Sequence, residues 1–492
     1  MATSRRRFLA GAAASGAVLV ARPAGILADV LGGTPQPTVS RASKLVPGTW
    51  LVHADLHNHT LFSDGDGDPA AAFATMRGNG LDVAALTDHA VLGGALGALA
   101  SVCGSGCTSV RGIDEASWDR TAELADGADA PGTFTAIRGF EWSSPTLGHV
   151  NVWFGQDWID PERTGGLVGV EGIPGFLDEL GEGGTAIGEP LESLVTDLPT
   201  TGLSMAGLYA WLRRQPGGLL GGGGADALAG FNHPGREPGR FAAFAFDARL
   251  RDRLVSLELF NRDEDYLYEG IDKGRTSPLV QCLDAGWRPG LLGVTDEHGT
   301  DWGGPPEKGR AGLWVTELSR AGVRAALADR RFFATRERGL RVDATLAGVR
   351  MGGVVPHRAG VVEVALDVEG PSVPAGTPLV VQVLTSGTPV PRVTSEHAVV
   401  VPAPDAPAIR FAAPVDVADG DWVALRIVDP AREADPRAPA DLGGRTVAYP
   451  SPWYLDPTAS PVGPTAATDG RALGAALAAA PTLAPRRHTH PH

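Results

Sequence analysis

His53-Ala54-Asp55-Leu56-His57-Asn58-His59-Thr60 is the stretch on which the reading of this chain turns. In an extended strand alternate side chains share a face, so His57 and His59 point to the same side. Leu51, Val52 and Leu56 supply the apolar content of such a strand, and Asp55 lies on the same strand face as a support or a buried hydrogen-bonding group. Ser63-Asp64-Gly65 follows, with a glycine that lets the loop turn back over the strand end. A His-x-His pair alone is a weak sign of a metal. Its weight comes from the runs downstream.

Val83-Ala84-Ala85-Leu86-Thr87 is a buried-strand run that ends in Asp88-His89. The run from Phe134 to Phe140 ends in Glu141, and Val150-Asn151-Val152 has His149 at its start. Phe231-Asn232 leads into His233, and Leu291 to Thr295 ends in Asp296-Glu297-His298. In a barrel of parallel strands the carboxyl ends converge on one mouth, so residues far apart in sequence meet there. Of twelve histidines, three lie in the C-terminal tail and two, His357 and His397, in a β-rich stretch. Of the other seven only His53 lies outside the strand ends. Structural histidines have no reason to choose such places. The expectation is one metal centre.

This pattern resembles the PHP (polymerase and histidinol phosphatase) metallo-phosphoesterase family, over residues 50 to about 300. The resemblance implies a distorted TIM-like (β/α)7 barrel with two or three divalent metal ions (Zn, Mn or Fe) at its mouth. It implies that His57, His59, Glu141 and Asp296 hold one ion. Glu141 bridges to a second, which also takes His149 and His233, while Asp64, His89 and His298 hold a third. The chain departs from compact members in a long insertion between His149 and His233. With its N-terminal signal and extra β-rich region it is similar to an exported branch related to carbaryl hydrolases.

Residues 1–28 resemble a twin-arginine export signal: Ser4-Arg5-Arg6-Arg7-Phe8-Leu9, then an apolar stretch to Ala21 that is short for a membrane span. The expectation is export to an extracellular, cell-wall or periplasmic location, with membrane contact only through export or an uncleaved anchor. Outside the cytoplasm Cys103 and Cys107 are able to close a small disulfide loop, and Cys282 reads as a buried core residue. The formal net charge of -15 and pI near 5.3 argue against a general nucleic-acid surface.

At 492 residues the chain is expected to hold more than one unit. Residues 29–49 read as a linker, and 50–338 as the α/β barrel, with apolar runs alternating with helical stretches and Gly-rich connectors. The nearly all-glycine stretch from Gly217 to Gly224 reads as a flexible loop. Residues 339–457 change to period-2 runs split by Pro and Gly, the pattern of a small C-terminal β-sandwich accessory domain. Residues 458–492 read as an Ala- and Pro-rich disordered tail.

The expected partner is a small-molecule ester, phosphorylated, attacked directly by a metal-bridging hydroxide. Arg236, three residues after His233, is the candidate for binding a phosphoryl oxygen, and equally a surface-loop arginine. Asp88 is the candidate for orienting a ligand or protonating a leaving group. Asn261 and Glu297 are placed at the mouth without a role. Two alternatives stand beside this reading: a metallohydrolase of carbamate, amide or carboxylic ester bonds, and a non-catalytic exported binding protein.

Overall fold

The computed structural model describes residues 40–91, 112–144, 146–161, 163–164, 204–217, 222–237, 239–439 and 442–459. The signal, Cys103, Cys107, most of the long insertion, residues 218–221 of the glycine stretch and nearly all of the tail lie outside the described residues.

In chain order the first half comprises β1 (Trp50–Asp55), α1 (Pro69–Gly78), β2 (Val83–Leu86), β3 (His89–Ala90), α2 (Glu115–Ala128), β4 (Thr135–Ser144), β5 (Gly148–Trp153), α3 (Ala206–Arg213), β6 (Leu228–Phe231), β7 (Leu254–Asn261) and β8 (Glu264–Asp265). There follow α4 (Pro278–Asp284), β9 (Gly290–Val294), β10 (Arg310–Val315), α5 (Arg320–Ala328) and β11 (Phe332–Thr335). The helices start where the sequence supplies caps. Asp68 accepts the Ala70 N–H ahead of Pro69, and Asp114 and Ser117 form a reciprocal capping box at α2.

Strands β1, β2, β4, β6, β7 and β9 run in one direction. β1 pairs in parallel with β2 and β2 with β4, while β6 pairs with β7 and β7 with β9. β5 alone is inserted antiparallel between β4 and β6. That reversal explains why His149 stands near the start of its strand while Glu141 stands towards the end of β4 and His57, His233 and Asp296 stand just beyond the ends of theirs. The antiparallel strand starts at the rim where the parallel strands end.

The expected distorted (β/α)7 barrel does not close by a strand ladder among the described residues. Both edges of β1 are taken, one by β2 and the other by antiparallel β10, so β9 finds no edge to join. Among the described residues no ladder links β9 to β10 or β11. β9 lies directly on this pair at Gly293, where an added Cβ would come 2.4 Å from the Arg310 carbonyl oxygen. The ring meets only at its carboxyl rim. There Asn58 and Glu297 form an isolated parallel bridge, and the His59 N–H donates to the Glu297 carbonyl at 2.9 Å. Asp55 ties the same seam from beneath, accepting from the Thr295 N–H at 3.1 Å and from its hydroxyl.

The C-terminal half comprises β12 (Arg341–Leu346), β13 (Val349–Arg350), β14 (Val354–Val355), β15 (Ala359–Glu369), β16 (Pro378–Thr385), β17 (Arg392–Val400), β18 (Ile409–Asp416), β19 (Trp422–Asp429), β20 (Arg445–Pro450) and β21 (Trp453–Leu455). β12, β13, β15 and β18 form one antiparallel sheet. β20, β19, β16 and β17 form another, and β20 pairs with β11, Ala334 opposite Tyr449. The second sheet is therefore a continuation of the first half's sheet. Where the sequence led to a small accessory sandwich, the structure has two facing sheets, one of them shared with the first half. Their core contains Val342, Val364 and Leu366 with Val381, Leu425 and Ile427, and it extends to Leu51, Trp314 and Phe333. β1 thus buries both faces, Leu51 in this core and Val52, Ala54 and Leu56 in the other.

Candidate metal centre

The two ends of the bridged seam bring His57, His59, Asp296 and His298 together. Ser63-Asp64-Gly65 folds back over them, so close that a Cβ on Gly65 would lie 2.7 Å from the Thr60 nitrogen. Asp88 holds that loop. Its Oδ1 accepts from the Thr60 N–H at 2.7 Å and the Ser63 hydroxyl at 2.6 Å, and its Oδ2 from the Thr60 hydroxyl at 2.9 Å. Burial pushes the Asp88 carboxyl up despite these bonds. The geometry makes it a support for the Asp64 loop, with both oxygens already occupied.

Glu141 lies at the centre and is fully buried. Its Oε1 is 3.1 Å from His57 Nε2, 3.2 Å from His149 Nδ1 and 3.3 Å from His233 Nε2, and it accepts from Asn232 Nδ2 at 2.7 Å. Its Oε2 is 2.6 Å from His89 Nδ1 and 3.5 Å from His59 Nε2. Asp296 Oδ1 faces His59 Nε2 at 3.2 Å, His57 Nε2 at 3.4 Å and His298 Nδ1 at 3.5 Å. Asp64 Oδ1 lies 3.5 Å from both His89 Nε2 and His298 Nε2. All nine residues expected as ligands converge.

The donor atoms fit divalent metals. His57 Nε2 and His59 Nε2 face each other at 3.1 Å in a site closed to bulk water, an arrangement that a shared cation satisfies. Glu141 Oε2 and His233 Nδ1 are buried without a hydrogen bond of acceptable geometry. Groups of donors able to share one ion are His59-Asp64-His89-His298, His57-His59-Glu141, His57-His233-Asp296, His89-Glu141-His149 and His149-His233-Glu237. Asp64, His89 and His298, expected to share one ion, fall in a single group together with His59. His57, His89 and His149 also fall into combinations that the expected division did not contain.

Electrostatics follow from this crowding. Burial alone would raise the Glu141 carboxyl, but His57, His149 and His89 hold it well below the usual range. Burial opposes charge on His57, yet Glu141, Asp296 and Glu258 push its imidazole well above the ordinary value. For His233, burial and Arg236 are outweighed by Glu237 and Glu141, which push it up to about 9. His89 is likewise raised, burial being outweighed by Glu141 and Asp64, whereas burial takes His59 down to about 3.

These shifts give a signed expectation for the metal-free protein. A folded state that binds more protons than the unfolded chain loses stability as pH rises. The contribution of His57, His89 and His233 is complete below their ordinary value of 6.5 and disappears as the pH passes through their raised values. The melting temperature of EDTA-treated protein should therefore fall between pH 6.5 and about 9, where His233 titrates. A rise across that window would contradict the arrangement.

Sequence reasoning missed two carboxylates. Glu258, on β7, accepts from His57 Nδ1 at 2.9 Å, from the His233 N–H at 2.7 Å and from Asn261 Nδ2 at 2.9 Å. A single acid inside Leu257-Glu258-Leu259-Phe260, otherwise apolar, was the available signal. Glu237 sets one oxygen 3.6 Å from His149 Nε2 and the other 3.7 Å from His233 Nδ1, the ring nitrogens turned away from Glu141. Nothing in its loop sequence announces this. Of the residues placed at the mouth, Asn261 Oδ1 accepts from Arg236, and Glu297 pairs with Lys308.

A family model described as "Protein of unknown function (DUF3604)" matches residues 95–158. No curated protein matches the chain. Among solved structures, similarity is found to a two-domain protein from Bacteroides vulgatus described as containing a predicted PHP-like metal-dependent phosphoesterase. It is 14% identical with a TM-score of 0.38, over 85% of this chain and 99% of that one. PsfC from Pseudomonas syringae is 14% identical with a TM-score of 0.26, over 54% of this chain and 82% of that one. An amidohydrolase from Chromobacterium violaceum, with bound sulfate and no metal, is 17% identical with a TM-score of 0.22, over 50% and 87%.

Proposed function

We propose that the protein is a metal-dependent hydrolase of phosphate esters, exported by way of residues 1–28. The observation that carries the hydrolase reading is the convergence of six imidazoles on Glu141, Asp296 and Asp64 at one partly open rim. Bound divalent ions supply Lewis acidity and a hydroxide nucleophile at neutral pH. The chain's own residues do the rest. Glu141 and Asp296 would neutralise the charge of the ions, and Glu258 accepts from His57 Nδ1 so that the opposite nitrogen presents its lone pair inward.

Phosphorus is favoured over a neutral carbamate carbon by the charge at the rim. Arg236 reaches Asp296 Oδ2 at 3.4 Å and the Tyr266 hydroxyl at 3.3 Å, which leaves a cationic edge beside the ligands. A substrate panel on protein stripped with EDTA and reloaded with Zn, Mn or Fe tests both parts. Release of p-nitrophenol from phosphate mono- or diesters, absent before reloading and restored after it, is the expected result. Release of 1-naphthol from its N-methylcarbamate with none from the phosphates would move the assignment to carbon esters. Reloaded protein that binds metal yet turns over neither substrate class would favour the binding-protein alternative.

A further inference from the structure

Arg262 occupies a position where an arginine is locally unfavourable. Strands β7 and β8 are joined by a two-residue turn, with Asn261 paired to Glu264 and Arg262-Asp263 between them. Turns of this length favour left-handed backbone and recruit Asn or Gly. Arg262 adopts φ 53° without being glycine, a strained conformation for an L side chain. The surroundings hold it there. Its N–H donates to the Val294 carbonyl at 3.2 Å, its carbonyl accepts from the Gly309 N–H at 2.8 Å, and Arg336 grips the Asp263 carbonyl at 2.6 Å. Asp296, its partner across the turn, also has a positive φ of 48°.

The conformation aims the guanidinium at the metal centre. Arg262 Nε lies 3.3 Å from Asp296 Oδ2, the oxygen that Arg236 also approaches at 3.4 and 3.5 Å, and its NH2 group lies 3.2 Å from His298 Nδ1. Two cations therefore share one carboxylate oxygen, and Oδ1 of the same carboxylate is turned to three imidazoles. Contacts of 3.3–3.5 Å are long for charge-assisted hydrogen bonds. Both side chains keep much of their surface open, 38% for Arg236 and 41% for Arg262.

We infer that Arg262 and Arg236 form a two-guanidinium clamp for the phosphoryl group of the substrate, with Arg262 the member that fixes specificity for a charged ester. The inference rests on the phosphoesterase reading and deepens it. A phosphoryl group offers several anionic oxygens at a spacing that forked donors match, whereas a neutral carbamate offers none. A bound phosphoryl group adds the negative charge that one carboxylate shared by two arginines does not supply, and the left-handed turn keeps Arg262 at the rim instead of in solvent.

The test uses Arg262→Gly and Arg262→Lys in the full-length, zinc-reloaded protein. Glycine relieves the φ strain while removing the guanidinium, so its melting temperature should equal or exceed that of the parent. Inorganic phosphate, titrated calorimetrically, should bind about 10-fold or more weakly to the glycine variant and at an intermediate level to the lysine variant. The ratio of kcat/KM for p-nitrophenyl phosphate to that for 1-naphthyl N-methylcarbamate should fall in the same order. Unchanged phosphate affinity at full metal content would overturn the clamp. Loss of metal in both variants would also overturn it, by showing that the cation serves only Asp296 and His298. If the parent hydrolyses the carbamate and no phosphate ester, the phosphoesterase reading fails instead, and phosphate affinity still decides whether the clamp exists.

Discussion

The Glu141→Ala variant should lose turnover by at least about 10³-fold, roughly 4 kcal/mol of transition-state stabilisation. Metal content should drop with it, because Glu141 is the residue whose two oxygens between them face five of the six imidazoles. In its absence the imidazoles crowd one another without the carboxylate that holds their charge, and His57 falls back from its raised value. The measurement pairs elemental analysis of purified, reloaded protein with the phosphate-ester assay. A Glu141→Ala protein with full metal and full activity would sink the assignment of the whole centre.

Glu258→Ala should have the second largest effect, and it acts without touching an ion. Glu258 is almost fully buried and accepts from three separate donors. Its loss leaves these donors unpaired in the interior, at a cost of about 3–5 kcal/mol to the fold. The freed His57 ring also loses the partner that fixes which nitrogen carries the proton. Zinc affinity should weaken by about 10- to 100-fold. Thermal unfolding and zinc titration separate the two consequences. Glu258→Gln keeps the shape and one acceptor, so it should recover most of the stability and little of the affinity. Zinc affinity unchanged in both variants would assign Glu258 to the fold alone.

What was legible in the sequence was whatever depends on strand ends. His57 and His59, His89, Glu141, His233, Asp296 and His298 each lie within or just beyond an apolar run. Such runs must be buried strands, and strands running one way deliver their ends to one rim. His149 broke the rule at the sequence level and keeps it in space, because its strand runs backwards. Glu237 and Arg262 were invisible because neither lies in a periodic segment. One depends on the course of a loop after His233, the other on a turn whose residue type contradicts its backbone.

How the ring of strands ends was hidden for a related reason. An apolar run shows that a strand is buried without showing which edges it uses, and β1 uses its second edge for β10. The same limit concealed the pairing of β11 with β20, which makes one of the two C-terminal sheets a continuation of the first half's sheet. Asp88 was a candidate for orienting a ligand or protonating a leaving group. Its oxygens belong to Thr60 and Ser63.

The rim bridge between Asn58 and Glu297 imposes an order of events on the newborn chain. β1 is made early, yet its antiparallel partner β10 and the segment that carries Asp296 and His298 come only after most of the chain has left the ribosome. Contacts that distant form slowly, and an unpaired β1 has two apolar faces to protect meanwhile. The cluster of candidate ligands is complete only once the segment carrying Asp296 and His298 has joined Asn58 at the rim. Any ion held jointly by His57, His59 and Asp296 is therefore captured only after that seam has formed.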